Sequence, residues 1–136
     1  MTYKIAYPYT KVGRLSLAIS RKAHIKCADI VIDQAHINHI HDKHGKELQK
    51  LGMSAFDYIA FIVSNYNRIY RNADGSILLV VAHIETSADT CCIQLHYLNG
   101  WWEIRTAQPR RKIMGTLLYT NKKSSPKTTF IKMSKS

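Results

Sequence analysis

The stretch SILLVVAHIETSADTCCIQLHYLNGWWEIRT, residues 76–106, holds three strand patterns in succession. Residues 76–84 form a short apolar run of the kind a buried strand shows, and 90–98 form another. Asn99-Gly100 then joins the second run to 101–106. A two-residue loop of these residue types is the signature of a type I′ hairpin, which needs positive φ at both central positions. Three antiparallel strands are therefore expected. Pro109 lacks the N–H a ladder needs and interrupts pairing, and a fourth short strand is expected at 116–120.

Upstream the period is helical. Asp33 follows a short β-branched run and can cap a helix with apolar positions at Ala35, Ile37 and Ile40, ending at Gly45. Ser54 stands three residues before Asp57 in a capping-box spacing. Phe56, Ile59, Ala60, Val63 and Tyr66 then recur at three- and four-residue intervals as one apolar stripe. Residues 2–28 read as extended chain around a turn near Lys11, Val12 and Gly13, with alternating positions at 14–19. Helices first and a meander afterwards describe a single α+β domain, with N-terminal helices packed on one face of an antiparallel sheet of about four strands. The expected divisions are a basic N-terminal extension with short strands at 1–28, a folded domain at 29–120 and a basic tail at 121–136, with one late pairing near 129–131.

A chain of 136 residues, 46% hydrophobic, can bury a core of its own without disulfides. No run approaches the roughly 18 consecutive apolar residues of a membrane span, and MTYKIAYPYTK lacks the apolar block of a signal peptide. The expectation is a soluble protein that uses no membrane. Cys27, Cys91 and Cys92 make an odd number with no CxxC spacing, as free thiols in a reducing compartment would.

Charge is segregated. Residues 105–136 carry nine Lys or Arg and no acid, and the first 28 residues carry six more, again with no acid. Residues 29–104 balance to −4 within a net charge of +11. Such clustering suits a phosphate-rich partner better than it suits general solubility. An adaptor that docks through an apolar patch would not need it.

Four of the seven histidines fall in AHINHIHDKHG. His36 with His39, and His41 with His44, have the i,i+3 spacing a helical zinc site uses, but the two pairs project from different sides and no Cys/His pair elsewhere completes a set. No metal is expected. His44 lies on the stripe of Ile37 and Ile40, just before the expected helix end at Gly45, where the helix dipole favours a protonated imidazole. It reads either as an acid/base group or as a core histidine bonded to a carbonyl.

In GWWEIRTAQPRRK, alternation puts Trp102, Ile104 and Thr106 on one face and Trp101, Glu103 and Arg105 on the other. Arg110, Arg111 and Lys112 follow Pro109 in a loop, where guanidinium forks can take a phosphate; the competing reading is a solvated basic loop. Trp101 and Trp102 read either as packing or as base-stacking platforms.

From His36 to about Tyr119 the sequence resembles the barnase/EndoU/colicin/RelE-like ribonucleases, in the branch found in phage head-associated proteins and polymorphic toxins. The matching pieces are HDKHG at 41–45, FDYIAFIVSNYNRIYR at 56–71, ILLVV at 77–81 and WEIRTAQPRRK at 102–112, over roughly 85 of the 136 residues. The resemblance implies a barnase/RelE-like fold and a metal-independent endoribonuclease without cofactor. The ribose 2′-OH would attack phosphorus to leave a 2′,3′-cyclic phosphate, with tRNA among the possible substrates. It assigns acid/base work to His44, phosphorane stabilisation to Arg105 and Arg110, and a phosphate hydrogen bond to Thr106. A fourth polar residue on the last strand falls to Tyr119, Thr120 or Ser124. Arg111, Lys112, Lys122, Lys123 and Trp101 would hold the RNA. A toxin of this kind implies an acidic antitoxin or immunity protein, and action in the cytoplasm of its own cell or of a cell into which it is delivered. The alternative is a nucleic-acid-binding or partner-binding module on the same fold without catalysis.

Overall fold

The structure, a computed structural model, describes residues 9–82 and 90–121. In chain order its elements are β1 (Tyr9–Arg14), α1 (Leu17–Ala23), β2 (Asp29–Asp33), α2 (Gln34–Gln49), α3 (Ala55–Asn65), β3 (Arg68–Arg71), β4 (Ile77–Val81), β5 (Cys91–Leu98), β6 (Trp101–Ala107) and β7 (Thr116–Thr120). The strands form one sheet in the order β1-β2-β6-β5-β4-β3-β7. All neighbours run antiparallel except β2 and β6, which are parallel, with Val31 opposite Glu103.

The expected sheet of about four antiparallel strands is therefore corrected to a mixed sheet of seven. The added strands are β1, β2 and β3. The apolar stripe of α3 hides β3 because it runs up to Tyr66, which instead leaves the helix at ψ 142 and starts an extended segment. β1 and β2 pair with each other across the connection that holds α1, a helix that the alternation at 14–19 masks. Ser16 caps α1 by accepting from the Ile19 N–H at 3.2 Å, and His24 closes it in the left-handed region at φ 58. Residues 9–28 are thus integral to the domain, with Leu15 and Ala23 fully buried.

α2 also departs from expectation, because it runs through Gly45 to Gln49. A helical glycine costs about 1 kcal/mol relative to alanine. Burying Leu48 in the next turn contributes roughly 1.5–3 kcal/mol and carries the helix onward. At its start, Asp33 Oδ1 accepts from the His36 N–H at 2.7 Å. α3 begins with the capping box of Ser54 and Asp57 and buries Ala55, Tyr58, Ile59 and Ile62. The Tyr58 hydroxyl accepts from the Cys92 N–H at 2.8 Å and donates to the Cys92 carbonyl at 3.2 Å, pinning α3 to β5.

All three helices contribute to one core, with Ile30, Ile32, Ile69, Ile77, Leu79, Ile93, Leu95, Trp102 and Ile104 beneath them. The other face of the sheet has a smaller cluster, Leu78, Val80 and Cys92, with Tyr70, Ala82 and Ile113 against it and no helical residue among the described residues. Ile113 belongs to the 108–115 connection, which crosses this outer face because β7 lies at the far edge, beside β3. No helix among the described residues is long and apolar enough to cross a membrane.

Candidate functional site

The hairpin turn decides what meets on the outer face. Asn99 and Gly100 take φ 55 and 95, and Leu98 pairs with Trp101. From that pair the ladder runs back to place His96 opposite Glu103. Residues directly opposite stand about 4.5–5.5 Å apart at Cβ. Ile104 still faces Leu95, but Thr106 faces Gln94, so Arg105 is the extra residue of a β-bulge. The bulge corrects the simple alternation. Ala107 takes the place that alternation gives Thr106 beside Trp102 and Ile104, and Thr106 joins the side of Glu103 and Gln94.

Glu103 is 2% exposed, yet it is paired. Arg105 Nε donates to its Oε1 at 2.6 Å. The Tyr9 hydroxyl is a second hydrogen-bond partner; that bond, followed by burial, raises the Tyr9 phenol above its ordinary value and keeps it a donor at neutral pH. Charge-assisted bonds of this kind offset the desolvation of a buried carboxylate. The terminal nitrogens of Arg105 make no hydrogen bond among the described residues, and its side chain is 38% exposed, so the guanidinium edge stays available to an anion. The Tyr9 ring meets Trp101 at 5.2 Å with the planes tilted by 56°, and Trp101 walls the same patch.

One strand further, a polar chain holds Arg110. Its Nη2 donates to Gln94 Oε1 at 3.4 Å, and Gln94 Nε2 donates to Ser76 Oγ at 3.0 Å. Ser76 Oγ donates in turn to Asp74 Oδ1 at 2.6 Å, a bond that holds the Asp74 carboxyl below its usual range. Arg110 is anchored by backbone as well, through a two-way bridge to Thr90 at 2.7 and 2.8 Å. Its Nε is buried without a hydrogen-bond partner among the described residues. Beside it, burial pushes the Cys92 thiol up to about 11 despite the opposing guanidinium, so the thiol stays protonated.

The outer face thus collects Arg105, Thr106 and Arg110 from the sequence-predicted set and adds Glu103, His96, Gln94 and Tyr9. Trp101 borders the patch, and Arg111 and Lys112 are exposed on the crossing connection. His44 is not among them. It lies on α2, on the helical side, with Nδ1 2.9 Å from Glu47 Oε1. α2 continues to Gln49, so His44 sits inside the helix and not at its terminus. Tyr119 packs on the helical core near Tyr66, whose phenol is pushed up to about 12, first by burial and then by Tyr119. Thr120 pairs with Arg68 at the far end of the sheet. Lys122, Lys123, Ser124 and the late pairing near 129–131 lie outside the described residues. No three His, Cys, Asp or Glu among the described residues form a group that could hold a metal ion.

Counting back from the Asn99-Gly100 turn is enough to find the His96–Glu103 pair. For Tyr9 and Ser76 no sequence signal exists, because they reach the site through non-local pairing. Comparison with protein-family models, with curated proteins and with solved structures finds no match to this chain.

Proposed function

We propose that the chain is a metal-independent endoribonuclease whose reaction takes place on the outer sheet face. The observation that carries this reading is one cluster, with a buried carboxylate bonded to a guanidinium, an imidazole directly opposite and a second anchored guanidinium one strand away. In-line attack of a ribose 2′-OH needs an acceptor for its proton, a donor for the 5′-oxygen and fixed positive charge around the phosphorane. Glu103 serves as the acceptor once a phosphate draws Arg105 away from it, and His96 serves as the donor. Arg105 and Arg110 neutralise the phosphorane, and Thr106 donates to a phosphate oxygen. Trp101 and Tyr9 offer aromatic surface to a base.

This agrees with the activity implied by the resemblance to barnase/EndoU/colicin/RelE-like enzymes and moves the acid/base work from His44 to Glu103 and His96. A neutralising partner would be an acidic antitoxin or immunity protein covering Arg105 to Lys112. The test is incubation of total RNA and tRNA with the protein in EDTA, followed by end-group analysis. The proposal expects 2′,3′-cyclic phosphate and 5′-OH ends, lost in Glu103→Gln. Intact RNA at high enzyme concentration overturns it.

A second reading, RNA binding without cleavage, draws on the near-complete burial of Glu103, which suits a structural ion pair. It predicts salt-dependent retardation of RNA that leaves the strand whole.

A further inference from the structure

On the helical side of the sheet, away from Glu103, a cavity of about 430 Å³ opens between the end of α1, the β3–β4 turn and the β5–β6 hairpin. Its volume falls in the range of small-ligand sites. His24, Lys26 and Arg71, three residues with cationic or proton-donating side chains, line it together with Ile25, and Tyr97 and Trp102 form one wall. No Asp or Glu among the described residues lines it.

The wall is built rather than incidental. Trp102 Nε1 donates to the Lys26 carbonyl at 2.9 Å, which fixes the indole and ties the Lys26 backbone to the sheet. The same carbonyl accepts from Ser20 Oγ at 3.4 Å. Tyr97 meets Trp102 edge-on at 5.2 Å and 66°, and 43% of Tyr97 remains exposed, so a ring face is open to a planar ligand. Arg71 makes one long bond, from Nη2 to the His24 carbonyl at 3.5 Å, and the rest of its guanidinium has no hydrogen-bond partner among the described residues. His24 holds a left-handed conformation that glycine would adopt at lower cost, and the residue lines the cavity.

We propose that this cavity binds a nucleotide unit, with its base stacked on Tyr97 and its phosphate taken by Arg71, Lys26 and His24. A planar ring joined to an anion matches an aromatic wall beside cations with no competing carboxylate. The unit is either a free mononucleotide or one residue of an RNA strand. The site stands apart from the cleavage reading, since it uses the opposite face of the sheet and none of the groups assigned to catalysis.

The test is calorimetric titration of the full chain with AMP, GMP, CMP and UMP, with adenosine, ribose 5-phosphate and inorganic phosphate as controls, combined with amide chemical-shift mapping. Saturable binding of the monophosphates is expected, with shifts at His24, Arg71 and Tyr97. Arg71→Ala and Tyr97→Ala should each weaken it roughly tenfold, in line with the effect of removing one stacking or phosphate interaction. Both side chains are exposed, so the variants should keep the parent melting temperature, and Arg71→Ala should leave cleavage of a short oligoribonucleotide unchanged. No binding at millimolar ligand, equal binding of inorganic phosphate, shifts confined to the Glu103 face or indifference to both substitutions overturns the proposal. An uncleavable 2′-O-methyl oligonucleotide separates the sources: affinity equal to that of AMP identifies a free nucleotide, and tighter binding identifies an RNA residue.

Discussion

His96 faces Glu103 across the β5–β6 ladder, and Glu103 is itself bonded to Arg105 two positions along the same strand at 2.6 Å. A two-residue turn and a single bulged residue produce this arrangement, so it is local in origin. Its consequence is that an imidazole, a carboxylate and a guanidinium share one patch of sheet.

Glu103→Gln keeps an acceptor for Arg105 and removes the base. RNA cleavage should fall by about 10²–10³, and Arg110→Ala, which removes one stabilising cation, should cost a similar factor. His44→Ala should cleave near the parent rate, because its bonded partner is Glu47 on the helical side. Single-turnover rates on one oligoribonucleotide measure all three, and loss of cleavage in His44→Ala with retention in Glu103→Gln would return the acid/base role to α2.

Tyr58→Phe leaves the Cys92 N–H and carbonyl without the hydroxyl that satisfies both inside the core. The variant should be destabilised by about 1–3 kcal/mol. Urea unfolding with an unchanged m-value reads this directly.

Asp29 accepts from Arg14 at 2.8 Å and stands 3.3 Å from Lys11. Burial alone would raise its carboxyl, but the hydrogen bonds from Arg14 and Lys11 hold it below the usual range. A depressed folded-state pKa contributes stability that is present above the unfolded value of about 3.9 and is lost as pH falls through the folded value. The parent should therefore lose more melting temperature than Asp29→Asn as pH is lowered from 5 to about 2. The difference should be small, since both cations are 53% exposed.

Arg111 and Lys112 are exposed on the crossing connection. Replacing both with alanine should weaken RNA binding and lower the slope of log K against log salt by about 0.7 for each phosphate no longer neutralised. Filter binding of a single-stranded RNA at several salt concentrations gives the slope.

Cys92 is 1% exposed and its thiol is raised to about 11, while Cys91 is half-buried and also raised by burial. Cys27 is half-buried, with its Sγ 3.6 Å from Arg14 Nη2 at the surface. Iodoacetamide at neutral pH should modify Cys27 first and Cys92 last, as peptide mapping will show.

Much of the meander is legible because its signals are short-range. The Asn99-Gly100 turn sets its own register, and the capping box of Ser54 and Asp57 is satisfied within three residues. The end of α2 misleads for the opposite reason. Gly45 carries a helix-stop signal, and what overrides it is the burial of Leu48 against a core assembled from distant strands. Thr106 reads onto the wrong face because alternation assumes an unbroken pleat, and nothing in WWEIRTA announces the extra residue at Arg105.

From the sequence alone follow the local elements: the hairpin, the helix starts at Asp33 and Ser54 and the concentration of cations after residue 105. Each depends on backbone geometry or charge within a few residues. Tertiary structure alone decided the seven-stranded sheet, the parallel meeting of β2 with β6, the placement of β7 beside β3 and the side of the sheet on which each polar group lies. Those depend on pairings between segments up to about seventy residues apart, such as Ile30 with Trp102, whose stability comes from burying a shared core and leaves no periodic mark in either segment.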